Sequence, residues 1–260
     1  LASECSEAGV EFFLIDSLDL GRPRFAAEGF EFPVLEDDGQ LVSGSLGIRN
    51  AGDVLVLNPE RLSLYYRGSV SNELQQTLAR VLEDSVSDTV TGPTNGCEIN
   101  YLVKDTHAQS PPDYVKDVAP IIIENCTECH KQGGVGPFAL DSYIMMLGWS
   151  PMIREVLLNK RMPPTQVDPY IGHSENARYL TKKELQTVIH WIDAGAPQGA
   201  VNSDPLEALG ALVGGAENDE WVLGEPDYIV TGPQNYVPPT GVMDYLYANI
   251  ELPFAEDKWV

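Results

Sequence analysis

The sequence predicts an α+β chain in three parts: an α/β part over residues 1–104, an all-α part over 105–202 and a short β-rich segment over 203–260. Three observations predict this. Apolar runs of strand length, rich in branched and aromatic residues, recur before residue 70. Helical periodicity then flanks a Cys-x-x-Cys-His run, Cys126-Thr127-Glu128-Cys129-His130. Beyond residue 218, strand-like alternation returns between Pro and Gly turns.

In the first part, Gly9-Val-Glu-Phe-Phe-Leu-Ile-Asp16 reads as a buried strand, and Phe30-Glu-Phe-Pro-Val-Leu-Glu-Asp37 brings an X-Pro turn and acids. Asp53-Val-Leu-Val-Leu-Asn58 and Leu62-Ser-Leu-Tyr-Tyr-Arg-Gly68 are two further strands joined by a Pro-Glu turn. Asn72 to Leu82 carries Leu74, Leu78, Val81 and Leu82 at helical spacing, with Asn72 as its predicted N-cap.

Asp105 to Pro112 is polar and ends in Pro-Pro, the pattern of a linker. From Asp113, the residues Tyr114, Val115, Val118, Ile121 and Ile122 predict a helix delivering the chain to Cys126, interrupted at Pro120. Gly133-Gly-Val-Gly-Pro137 predicts a tight loop. Asp141 to Lys160 predicts a helix with Tyr143, Ile144, Leu147, Ile153, Val156 and Leu157 inward, leaving Met145, Met146 and Met152 as core packing. Thr181-Lys-Lys-Glu184 is a capping box, opening a helix with Leu185, Val188, Ile189 and Ile192 on one face and Gly195 at its end. Strands are expected within 219–230, 236–241 and 245–252.

Charge narrows the function classes. The 260 residues hold 39 Asp and Glu against 16 Lys and Arg, a formal net charge of −23. Such a field repels nucleic acid and anionic lipid and favours basic partners. No run of some 18 apolar residues is present, so no transmembrane segment is expected. The chain opens at Leu1 without an initiator Met or a signal peptide, which reads as a processed chain or a piece of a longer one.

The chemistry concentrates at Cys126, Cys129 and His130. In a non-reducing compartment this spacing lets two thiols add to the vinyl groups of one haem while the adjacent imidazole meets the iron, giving one covalent haem c. Zinc and dithiol readings stand beside it. Zinc would want a second ligand pair where only the distant Cys5 and Cys97 remain, and a dithiol has no need of the following His. For the sixth iron ligand, Met162 leads, presented by Arg161-Met162-Pro163-Pro164, and His173 is its rival. His107 and His190 read as helix or surface residues. Cys5 and Cys97 are either unrelated thiols or a disulfide.

Taken together, Cys-x-x-Cys-His, Gly-Gly-Val-Gly-Pro-Phe, Arg-Met-Pro-Pro, Gly-His-Ser-x-Asn, Leu-Thr-x-x-Glu-Leu and Trp191-Ile-Asp-Ala-Gly-Ala-Pro197 resemble the cytochrome c domain of bacterial redoxin–cytochrome c–copper type II ascorbate-dependent monooxygenase-like fusion proteins. The resemblance implies a class I-type cytochrome fold over 105–202, thioethers at Cys126 and Cys129, and His130 and Met162 as iron ligands. Thr165 departs from it, standing where an aromatic residue is expected. Residues 1–104 resemble a thioredoxin-like redoxin or peroxiredoxin domain without its N-terminal catalytic part, and Ala51-Gly52-Asp53 lacks the proline expected there. The last segment resembles the opening of the monooxygenase-like domain, whose copper ligands are absent because no His follows His190.

The implied function is electron transfer in the bacterial periplasm or outside the cell, with redox proteins, basic ones among them, as partners and a larger complex or homo-oligomer compatible. An electron carrier is favoured over an enzyme. The alternatives are the electron-feeding part of a larger peroxidase or copper monooxygenase, and a haem-bearing structural subunit.

Overall fold

The computed structural model describes residues 2–21, 24–25, 28–29, 32–164, 178–200, 203–214, 225–226, 228–236 and 246–256. Two compact units are present, Leu1–Gly214 and Gly215–Val260. The first runs α1 (Ala2–Glu7), β1 (Leu14–Asp16), β2 (Val34–Glu36), a 3-10 turn (Asp38–Gln40), α2 (Leu41–Leu46), β3 (Asp53–Asn58), β4 (Ser63–Ser69), α3 (Asn72–Leu82) and β5 (Val90–Thr91). It continues through α4 (Leu102–Gln109), a π-helical turn (Tyr114–Val118), α5 (Ala119–Asn125), α6 (Tyr143–Leu158), α7 (Lys182–Asp193) and α8 (Pro205–Gly214).

The strands form two separate small sheets. β1 and β2 pair in parallel, Leu14 opposite Val34. β3 and β4 make the predicted antiparallel hairpin, with a bulge between Val56 and Leu57, and β5 joins β4 in parallel. Acids limit the first sheet. Asp16 turns its carboxylate onto the N–H groups of Leu18, Leu20 and Gly21, while Asp37 accepts from Val42 and Ser43 at the start of α2. Such side-chain bonds offer the backbone an alternative to continuing the ladder.

Helix ends follow local chemistry. α3 is capped by Ser71, one residue earlier than predicted, because its hydroxyl accepts the Leu74 N–H. The capping box of Thr181 and Glu184 is complete at α7. Pro120 falls in the first turn of α5, where its missing N–H costs nothing, and the preceding turn is π-helical. Pro151 lies inside α6, and the Ser150 hydroxyl donates to the Leu147 carbonyl, one turn before the proline. α6 buries Met146, Ser150, Ile153 and Leu157. The expected inward residues Ile144 and Leu147 are exposed, as is Met152. The buried set steps by three or four residues and so forms one true helical stripe, which the predicted set did not.

The expected fold class is corrected here. The helices after residue 101 are not an all-α body on their own but part of a mixed α/β unit. Leu41 of α2 belongs to the same buried cluster as Tyr114, Val118, Ile122, Met146, Val188, Ile189 and Trp191. Each large apolar side chain enclosed there contributes roughly 1.5–3 kcal/mol of burial. Gln186 donates to the Gly39 carbonyl, and Lys182 and Lys160 pair with Asp19 and Asp38. A smaller cluster gathers Cys5, Tyr66, Leu74 and Leu78 under the hairpin. The polar stretch from Asp105, expected as a linker, is largely helix α4, held on α7 and tied to α2 by Lys104 donating to the Gly44 carbonyl at 2.6 Å. The expected β-rich end is corrected as far as the described residues reach: 225–226, 228–230, 236 and 246–252 form no strand, and the rest of the expected strands lies outside the described residues. Among the described residues no helix is long and apolar enough to cross a membrane.

His107 of α4 and His190 of α7 meet Nδ1 to Nδ1 at 2.9 Å, ring centroids 5.1 Å apart. One nitrogen donates and the other accepts, which two charged rings cannot do. Burial holds both rings below their ordinary 6.5. For His190, His107 and Lys104 add to that while Asp193 opposes it; for His107, Asp117 opposes it. The unfolded chain takes up these protons near 6.5 and the folded chain only lower. The pair's contribution is therefore complete above 6.5 and is lost as pH falls through the lowered folded values. In urea unfolding at pH 7.5 and 5.5, the His107→Gln/His190→Gln protein is expected to lose less stability on acidification than the parent.

Candidate functional site

The Cys-x-x-Cys-His run begins where α5 ends. Cys126 is the C-cap of that helix, its N–H bonded to the Ile122 carbonyl at 2.9 Å. Thr127 bonds back to Ile123 through its hydroxyl, and the N–H groups of Cys129 and His130 both return to the Cys126 carbonyl. The motif is therefore a tight turn with both cysteines half-buried, and both are free thiols. Cys5 and Cys97 are likewise free, Cys5 buried beneath the hairpin and Cys97 exposed.

His130 is held by its own backbone neighbourhood. Its Nδ1 lies 3.0 Å from the Phe138 carbonyl oxygen. A carbonyl only accepts, so Nδ1 carries the proton and Nε2 keeps a free lone pair. The loop between them folds back because its glycines allow it. A Cβ on Gly136 would stand 2.7 Å from His130 Nδ1, and one on Gly134 would stand 2.4 Å from the Cys129 carbonyl oxygen. Gly133 adopts φ of 70°, a left-handed conformation that favours glycine. The glycines thus serve the close approach of the loop to the Cys-x-x-Cys-His turn itself. Leu140 N–H closes the loop onto the His130 carbonyl at 2.9 Å.

Aromatic packing supports this carbonyl. The Phe138 ring stacks on Trp149 of α6, centroids 4.1 Å apart and planes 10° apart, and lies 4.8 Å from the His130 ring. A cavity of about 150 Å³ opens beside His130, bordered by Thr127, Leu140, Asp141, Leu206 and Leu209. Arg178, just before α7, pairs with Glu128 inside the motif.

Burial, and then the neighbouring Cys129, push the Cys126 thiol up to about 12. A redox dithiol works through a readily ionised thiolate, which this burial disfavours at Cys126. Among the described residues no group of three or more His, Cys, Asp or Glu converges as a metal site, so no second ligand pair for zinc accompanies the motif. The donor set does fit a haem: two thiols at the right spacing, and an imidazole whose second nitrogen is engaged by a carbonyl, as metal-bound imidazoles commonly are. The fit lies in the donors and not in a preformed slot, since a cavity of about 150 Å³ is small for a tetrapyrrole.

Met162 follows α6 in a turn where its N–H reaches the Val156 carbonyl at 3.2 Å. Its side chain is 38% exposed, and its peptide bond to Pro163 is cis. It does not border the cavity beside His130. His173 and Thr165 lie outside the described residues. Sequence reasoning missed Phe138 and Trp149 as His130's support. The only signal was the Pro137-Phe138 step after the glycines.

The chain matches no family model, no curated protein and no solved structure.

Proposed function

We propose that the chain is an extracytoplasmic electron-transfer protein with one covalently attached haem c. Cys126 and Cys129 would hold it through thioethers, and His130 and Met162 would supply its iron ligands. The observation that carries this reading is His130, placed directly after the Cys-x-x-Cys pair with Nδ1 bound to the Phe138 carbonyl and Nε2 left to donate. The bound group supplies one-electron chemistry between ferric and ferrous iron.

The residues of the chain do the rest. The Phe138 carbonyl fixes the tautomer and orientation of His130, and the glycine loop keeps that carbonyl within reach. Phe138, backed by Trp149, gives the imidazole an apolar flank. The net charge of −23 favours basic redox partners at a salt-dependent rate. In this role the chain is similar to the electron-carrying portion of the bacterial redoxin–cytochrome–monooxygenase-like fusion proteins.

The test is a pyridine haemochrome spectrum with an intact mass. A c-type band and the added mass of one haem are expected, whereas zinc without iron would overturn the reading. Met162→Ala is expected to keep the covalent haem but lose the weak long-wavelength absorption that a thioether ligand gives ferric haem. Retention of that band would move the sixth ligand elsewhere.

A further inference from the structure

We infer that Trp149 is a positioning residue for the proximal imidazole, acting through Phe138 to set how strongly His130 donates to iron. The inference rests on the haem reading above.

Three contacts in series carry it. Trp149 lies face to face with Phe138 at 4.1 Å and 10°. Phe138 in turn lends its backbone carbonyl, at 3.0 Å, to the Nδ1–H of His130, and its ring stands 4.8 Å from the imidazole. Trp149 belongs to α6, a sixteen-residue helix whose Met146, Ser150, Ile153 and Leu157 are buried, whereas Phe138 belongs to a loop. The helix therefore braces the loop at Phe138. Backbone bonds at Gly136 and Leu140 close the loop on either side of Phe138, and the ring stack on Trp149 fixes the turn of the residue between them.

That bond matters electronically. A strong acceptor at Nδ1 draws the proton away and makes Nε2 the better donor, which stabilises the ferric state; a weakened acceptor favours the ferrous state. Packing alone does not require this chain of contacts. The residue whose ring Trp149 covers is the same one whose carbonyl meets His130.

The experiment compares the holoprotein with Trp149→Phe, which keeps a flat partner, and with Trp149→Leu, which keeps apolar bulk but removes the ring face. Two readouts are taken: the reduction potential, and the solvent-exchange rate of the His130 Nδ1–H in the diamagnetic ferrous protein by NMR. Trp149→Leu is expected to shift the ferric–ferrous equilibrium toward ferrous by up to about tenfold, ~59 mV for one electron, and to speed Nδ1–H exchange severalfold. Trp149→Phe is expected to stay near the parent in both. Phe138→Leu, which removes the other half of the stack and keeps the carbonyl, is expected to follow Trp149→Leu, and it decides the matter if Trp149→Leu does not fold. Unchanged potential and exchange in the ring-deleted variant overturn the inference while leaving the haem intact. A parent protein with no haemochrome band overturns the haem reading itself, and this inference with it.

Discussion

Replacing Cys126 and Cys129 together with alanine is expected to remove covalent haem completely. Denatured protein should then run at the mass of the bare chain and show no c-type haemochrome, while the parent carries one haem. The reason is chemical: a thioether forms only from a thiol, and the described residues hold no other pair of cysteines in one turn. Fold loss is not expected to confound the result. Neither side chain is fully buried, and the turn is closed by backbone bonds from Thr127, Cys129 and His130 that alanine preserves. The single variants Cys126→Ala and Cys129→Ala are each expected to hold at most one thioether. Unaltered haem content in the double variant would place the attachment outside the motif.

The second large effect is structural and centres on Asp204. This carboxylate sits 9% exposed where the chain enters α8 and accepts three hydrogen bonds: from the Tyr114 hydroxyl at 2.7 Å, the Tyr143 N–H at 2.5 Å and the Leu206 N–H at 3.0 Å. It thereby joins the π-helical turn, the start of α6 and the start of α8. Tyr114 is fully buried, stacked on Trp191 at 5.8 Å and edge-on to Tyr143 at 5.2 Å. Burial first, and then Asp204 itself, hold its phenol far above the usual range, so it remains a donor. Asp204→Ala strands that donor away from water and is expected to cost about 2–4 kcal/mol in urea unfolding. Tyr114→Phe, which leaves Asp204 two N–H partners, is expected to cost less, about 1–2 kcal/mol. The double variant is expected to be less destabilised than the sum, since the two groups share one bond. Additive losses would show that the pair is not coupled.

Hairpin β3–β4, α3, α6 and the capped α7 follow from local spacing and caps, because each is decided by residues within a few positions of one another. The Cys-x-x-Cys-His turn was legible for the same reason. What failed was long-range. α4 looked like a linker because its polar residues carry no stripe of their own; it is helical where His107 meets His190 and Lys104 meets Gly44. The described parts of the strands expected past residue 218 had the right alternation, but alternation alone supplies no partner, and these residues form no strand.

By itself the sequence determined which residues make up the proposed donor set, the acidic charge of the chain and the approximate extents of α3, α6 and α7, since these depend on residue type and short spacing. The tertiary structure alone decided that α2 and the later helices share one core. It also decided that the Phe138 carbonyl turns to His130 with Trp149 behind it, and that Asp204 meets Tyr114 across ninety positions. Those contacts join residues whose separation leaves no periodic trace, because packing selects them by shape and unmet hydrogen-bonding need and not by order along the chain.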